Sequence, residues 1–99
     1  MAHREYIATY ILTNPANTVL YVGVTSNLVQ RIYQHRTHAI EGFSRRYNAI
    51  KLVYYEPCET MERAIHREKR LKKYTRQQKM ALIETLNPHW HDLWESITA

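Results

Sequence analysis

From Tyr21 to Arg31 the chain reads Tyr-Val-Gly-Val-Thr-Ser-Asn-Leu-Val-Gln-Arg, a strand that turns a corner into a helix. Val19, Leu20, Tyr21, Val22 and Val24 are β-branched, aromatic or aliphatic and favour a pleated surface, while Gly23 lets the backbone pass close to something bulky. Asn27 can cap the helix by accepting from the free N–H groups of its first turn. Leu28, Ile32 and Ala39 supply its apolar stripe, with Arg31 and His35 on the border. A phenol, a permanent cation and an imidazole, from Tyr21, Arg31 and His35, therefore fall on neighbouring surfaces where the strand ends.

The flanking segments fill in a sheet. Tyr6 to Leu12 is apolar on both faces, so this first strand is central or covered on each side. Asn14-Pro15-Ala16-Asn17 closes it into an antiparallel hairpin with the strand that holds Tyr21. An even-length loop puts Tyr10 and Tyr21 on one face; a three-residue bulged loop separates them, and the residues alone leave both open. The first helix is expected from Leu28 to Ile40 with Gly42 as its C-terminal cap, followed by a loop over Phe43 to Asn48 and a third strand from Ile50 to Glu56 that Pro57 stops.

A second helix starts after Thr60, with Glu62 in the first turn where the helix dipole favours an anion. Met61, Ala64, Ile65 and Leu71 follow a buried-face spacing, and Glu68 stands at the i+7 place of that series. An unpaired buried charge is costly, so Glu68 binds a cation, holds a proton or lies at the core's edge; Lys72 and Arg31 are its candidate ion-pair partners. Thr75 to Gln78 has capping-box spacing and opens a third helix that runs to Asn87-Pro88. Trp90 and Trp94, four apart in the tail, are expected to fold back over the core as a lid. The reading is an α+β fold, a three-stranded mostly antiparallel sheet flanked by about three helices, in a single domain over residues 1–99 because a chain this short supports one core.

Apolar residues make up 44% of the chain against two Gly and three Pro, which excludes disordered and collagen-like classes. No apolar run is long enough to span a membrane, and the N-terminal Met1 to Glu5 has no apolar targeting core, so a cytoplasmic protein without membrane contact is expected. The lone Cys58 suits a reducing compartment and reads as a small filler after Pro57. Charge is more telling. Lys and Arg number 14 against 9 Asp and Glu, a net +5, and Arg63, Arg67, Lys69, Arg70, Lys72, Lys73, Arg76 and Lys79 crowd a window whose one carboxylate is Glu68. A polyanion is the partner this implies, and tyrosines beside the cations favour nucleic acid.

Tyr10, Tyr21, Arg31, His35 and Glu68 together supply what phosphodiester hydrolysis needs: a base for water, positive charge against the phosphate, and a metal ligand or acid for the departing oxygen. A free phenol is a poor base at neutral pH, so a nearby cation or metal-bound water must assist it.

These residues resemble the GIY-YIG nuclease family, which is named for two tripeptides on paired strands. Here they are Ala8-Thr9-Tyr10 and Tyr21-Val22-Gly23, with the tyrosines eleven positions apart. Asn27 to Arg31 resembles the family's helix start with its active-site arginine, His35 falls where members carry His or Tyr, and Glu68 falls at the metal-binding glutamate. The Gly42-Phe43 loop, the Leu52 to Glu56 strand, Arg67-Glu68-Lys69 and the Asn87-Pro88 to Leu93 ending resemble the short stand-alone bacterial type. Ala8 replaces a glycine, and Val24 stands where some members carry a lysine. The resemblance implies a metal-dependent endonuclease acting on DNA, structure-selective or weakly sequence-selective, with RNA as a further substrate class and one Mg²⁺ or Mn²⁺ on Glu68. It also implies that one tyrosine, Tyr21 ahead of Tyr10, helps activate water while the other hydrogen-bonds nearby, that Arg31 holds the scissile phosphate and that His35 orients or transfers a proton. It implies too that both tyrosines share the catalytic face. Arg45, Arg46, Lys69, Lys72, Lys73 and Arg76 are the expected phosphate contacts. The alternative is a catalytically silent nucleic-acid-binding module of the same fold. A protein partner or a second copy is left open.

Overall fold

In the computed structural model, which describes residues 6–99, β1 (Ile7–Thr13), β2 (Leu20–Thr25) and β3 (Lys51–Cys58) form one antiparallel sheet in the order β2-β1-β3. Residues 1–5, read above as lacking a targeting core, lie outside the described residues. β1 is the central strand, as its apolar faces require, and is buried from Ala8 to Thr13. The turn closes through Asn17 N–H donating to the Asn14 carbonyl at 2.9 Å. The whole connection, residues 14–19, is even in length. It pairs Leu12 with Tyr21 and Tyr10 with Gly23, so the two tyrosines share a face as diagonal neighbours.

Each face of the sheet has its own apolar cluster. On one, Ala8, Tyr10 and Leu12 pack with Leu28 and Ile32 of α1 (Leu28–Arg36) and Ile97 of α5 (Trp94–Thr98). On the other, Ile11, Val22, Val53 and Tyr54 pack with Leu71 of α3 (Met61–Lys72), Ile83 of α4 (Arg76–Leu86) and Trp90. Thr9 fastens α3 to this second face, its hydroxyl donating to the Ala64 carbonyl at 2.8 Å. Thr60 caps α3 and Thr75 closes a full capping box on α4, as their spacing predicts.

Several boundaries differ from expectation. α1 stops at Arg36 rather than Ile40, because His38 adopts a left-handed φ of 58° and the His38 and Ala39 N–H groups close onto the carbonyls of His35 and Gln34 at 3.2 and 2.8 Å. This is a Schellman end with histidine in the glycine position, and it leaves Ala39 exposed. Gly42 does not cap α1; at φ 112° it is the N-cap of α2 (Phe43–Arg46), a short helix in the segment expected to be a loop. Five helices are therefore present among the described residues where about three were expected.

β3 runs through Pro57, opposite Ala8, which an edge strand tolerates because its outer N–H groups need no ladder partner. A bulge lies between the Ile11–Tyr54 and Leu12–Leu52 pairs, leaving Val53 unopposed. Asn87 ends α4 as expected, and its buried amide also donates to the Val53 carbonyl at 3.1 Å and the His91 carbonyl at 2.9 Å, tying the bulge to the tail. The buried face of α3 is narrower than its spacing suggests, with Ile65 exposed, and Leu86 at the end of α4 is exposed as well. Nor do the tryptophans form one lid. Trp90 is buried on the α3–α4 side and donates to Glu84 at 2.9 Å, while Trp94 opens α5 on the opposite side beneath the Arg36 guanidinium, 5.0 Å from its centroid. Among the described residues no helix is long and apolar enough to cross a membrane.

Candidate active site

The Tyr10 ring crosses directly over Gly23, its partner on β2. A Cβ on Gly23 would sit 2.4 Å from both Cζ and Oη of Tyr10, so the glycine marks a close approach, as the sequence suggests. At the far side the Tyr10 hydroxyl meets His35 Nε2 at 2.8 Å, and His35 Nδ1 meets Ser44 Oγ at 2.9 Å. All three side chains are buried, and α1 and α2 converge on the sheet face to hold them. Burial pushes the Tyr10 phenol above its ordinary value, the neighbouring Tyr21 adds to this, and Arg31 opposes it in part. Tyr10 is accordingly protonated at neutral pH. Burial, and then the Arg31 charge, lowers His35 from 6.5 to about 4, so the imidazole is neutral.

Tyr21 is the more accessible phenol. It lies edge-on to His35, with ring centroids 5.5 Å apart, and stacks on Phe43 at 6.0 Å. Phe43 in turn meets Tyr47 at 4.6 Å, and both of these rings are exposed. An aromatic row thus leads from the buried Tyr10–His35 pair to the surface. Arg31, half-buried on the same side, acts on both Tyr10 and His35 and forms no salt bridge with a carboxylate among the described residues.

Glu68 arrives from α3, on the other side of the sheet. Its side chain is 13% exposed and pairs with Lys72 at 2.8 Å, so of the two expected partners it takes Lys72 and not Arg31. A shallow groove of about 220 Å³ joins the two sides, lined by Leu20, Tyr21, Val22, Phe43, Lys72 and Lys79 along β2. The Glu68 charge reaches Tyr10 and contributes to raising it. The fold therefore brings Tyr10, Tyr21, Arg31 and His35 onto one face and sets Glu68 at the margin of that cluster.

The expected phosphate contacts divide. Lys72 lines the groove just described. Arg76 lines its continuation toward the hairpin, of about 250 Å³, where Lys79 recurs beside Thr18 and Phe43. Arg45 and Arg46 line a separate depression with Glu41, which lies 3.6 Å from Arg45. Lys69 and Lys73 are exposed on and just beyond α3 but line none of these. Ser44, Phe43 and Lys79 are site residues that the sequence did not single out as such. Lys79 carried a signal, being four residues from Thr75 in a basic run; Ser44 carried none, since depth in a short helix leaves no mark on the sequence.

Among the described residues no three His, Cys, Asp or Glu side chains converge. Glu68 therefore offers one carboxylate with a surface ammonium as its present counter-ion, a donor set that fits a hard divalent cation retaining most of its water.

The sequence model of the GIY-YIG catalytic domain matches residues 6–81. Over 66 residues the chain is 41% identical to a UPF0213 protein of Clostridium perfringens, covering 67% of this chain and 71% of that one. A UPF0213 protein of Haloquadratum walsbyi is 32% identical over 80 residues, covering 81% and 89%. The solution NMR structure of a UPF0213 protein from Bacillus halodurans shares the fold with a TM-score of 0.55 at 22% identity, covering 87% of this chain and 90% of that chain. With its paired tyrosines on one sheet face and a matching domain model over most of its length, the chain belongs to the GIY-YIG catalytic-domain family.

Proposed function

We propose that this protein is a divalent-metal-dependent endonuclease that hydrolyses phosphodiester bonds in DNA. The observation that carries this reading is the difference between the two tyrosines: Tyr10 is sealed beneath the sheet's helical cover and held protonated, while Tyr21 lines the groove that contains Lys72, the ion-pair partner of Glu68. Tyr21 is then the phenol that contacts the attacking water. Arg31, which forms no salt bridge with a carboxylate among the described residues, holds the scissile phosphate and stabilises its developing charge. His35, neutral and hydrogen-bonded at both nitrogens, orients Tyr10 rather than carrying a proton from substrate to solvent. Glu68 would hold the Mg²⁺ or Mn²⁺, with Lys72 released toward phosphate; such an ion, when bound, polarises a phosphoryl oxygen and offsets charge on the leaving one.

Lys72, Arg76 and Lys79 along the β2 edge supply the backbone contacts, which carry no base information, so selectivity follows from nucleic-acid shape. The test is purified protein with Mg²⁺ or Mn²⁺ against branched, nicked, single-stranded and duplex DNA, with an RNA counterpart and chelator controls. Metal-dependent cutting of any of the DNA substrates supports the proposal, and cutting of the RNA alone would reassign the substrate. Binding without cutting across the whole set assigns the chain instead to a silent nucleic-acid-binding module.

A further inference from the structure

We infer that Phe43 and Tyr47 form a stacking platform for unpaired nucleobases beside the β2 groove, so that the DNA held there is single-stranded or locally unpaired. Such a platform presupposes that the groove holds nucleic acid, the reading proposed above, and it supplies what the groove's cations lack, a means of contacting bases. Phe43 opens α2 and Tyr47 caps its C-terminus, four residues on, which sets the two side chains along one face while Ser44 is buried. Their rings meet at 4.6 Å, and Phe43 lies nearly parallel to Tyr21, at 6.0 Å with 19° between the planes. Both remain open, Phe43 at 46% and Tyr47 at 45% exposure. A large aromatic side chain ordinarily stabilises a fold by burial, so two adjoining open rings mark a surface kept for a ligand.

The surroundings say which ligand. Phe43 lines both depressions along β2, with Lys72 and Lys79 in one and with Arg76 and Lys79 in the other. Arg45 and Arg46, both exposed, fall between the two rings in sequence. An apolar protein segment laid on the rings would leave these cations unpaired. A duplex would satisfy the cations, but its base faces are already stacked on one another, and it offers the rings only sugar and phosphate. An unpaired strand satisfies both, its phosphates meeting the cations and its base faces the rings. Tyr33 is the internal contrast. It is 58% exposed, yet its ring leans on Trp94 at 6.4 Å and lines neither depression along β2.

The test is binding of the full chain, followed by fluorescence anisotropy in chelator so that nothing is cut, to labelled DNA probes of one length: an oligothymidylate, the same backbone with abasic sites in place of thymine, and a blunt duplex. Wild type should bind the oligothymidylate at least about tenfold more tightly than the abasic strand, within the range that one or two stacked bases contribute, and more tightly than the duplex. Phe43→Leu and Tyr47→Leu keep apolar bulk but lose the flat ring. Each should weaken oligothymidylate binding about fivefold or more and leave the abasic strand and the duplex unchanged, while Tyr33→Leu should bind all the probes as wild type does. With iodouracil in place of thymine, irradiation should cross-link the strand to Phe43 or Tyr47, read by mass spectrometry of the digested adduct. Equal wild-type affinity for the oligothymidylate and the abasic strand, a preference for the duplex, or cross-links only elsewhere in the chain overturns the inference. Should Phe43→Leu fail to fold, Tyr47→Leu and the wild-type preference decide. A wild type that prefers unpaired bases but cuts nothing with Mg²⁺ or Mn²⁺ ends the nuclease reading and leaves the platform standing; one that cuts without any base-dependent affinity ends the platform alone; one that binds no probe ends both.

Discussion

Gly23 is demanded by Tyr10 and not by its own backbone. Gly23→Ala would drive a methyl group into a buried ring that has no room to swing, an overpacking cost of about 1–3 kcal/mol, visible as a lower urea midpoint with unchanged m-value. His35 links stability to pH. Its folded pKa, about 4, lies below the ordinary 6.5, so the folded state binds fewer protons between those values. The stability this neutral burial permits is fully present above pH 6.5 and is lost as pH falls toward 4, by up to about 3 kcal/mol. Denaturation midpoints across that window should fall steeply for wild type and more gently for His35→Gln. Much of this was legible in advance: the glycine announced a close neighbour, and the two tyrosines announced a pair whose face depended on loop parity. Ser44 was not, because nothing in Phe-Ser-Arg-Arg distinguishes a buried hydroxyl from a solvated one.

α3 is held to β3 by an element-scale clamp that the sequence did not reveal. Arg67 donates to both carboxylate oxygens of Glu56 at 2.9 Å and lies over the Tyr74 ring, while the Tyr54 hydroxyl bonds the same carboxylate. Burial alone would raise the Glu56 carboxyl, but the hydrogen bonds from Arg67 and Tyr54 and the Arg67 charge outweigh it and hold it below its ordinary value. The sign is opposite in origin to ordinary burial: stability is present above the usual carboxylate range and lost as pH falls through the depressed value. Arg67→Met should cost about 1–3 kcal/mol by leaving a carboxylate half-buried without its cation, measured by urea unfolding at pH 7. Asn87→Asp should destabilise at least as much as Asn87→Ala, since it sets a second acceptor against the Val53 and His91 carbonyls. Strand order, helix caps and the Asn87 stop followed from local chemistry. The early end of α1 did not, because a left-handed histidine took the place expected for Gly42, and neither did the strand through Pro57, because edge position is a property of the sheet.

At the scale of the molecule the fold serves to bring two faces of one sheet to a common margin. Tyr10, Tyr21, Arg31 and His35 belong to the α1 side, Glu68 to the α3 side, and β2 is the edge at which they meet. The sequence offers all five residues as candidates but leaves open from which side of the sheet Glu68 approaches, since helix periodicity says which residues share a stripe and not which face the stripe covers. The same edge carries Lys72, Arg76 and Lys79, so nucleic-acid affinity should fall linearly on a log–log plot against salt. Lys79→Ala should reduce that slope by about one with little change in sequence preference, whereas the same change at Lys73 should matter less. If Glu68 completes a phosphodiesterase site with the tyrosine face, Mn²⁺-dependent cleavage of the best-cut DNA substrate must depend on it, and the decisive comparison is between wild type and folded Glu68→Gln. Wild type should cut and the variant should lose at least about a hundredfold in rate with DNA affinity retained; equal cutting by both proteins would rule out this role for Glu68.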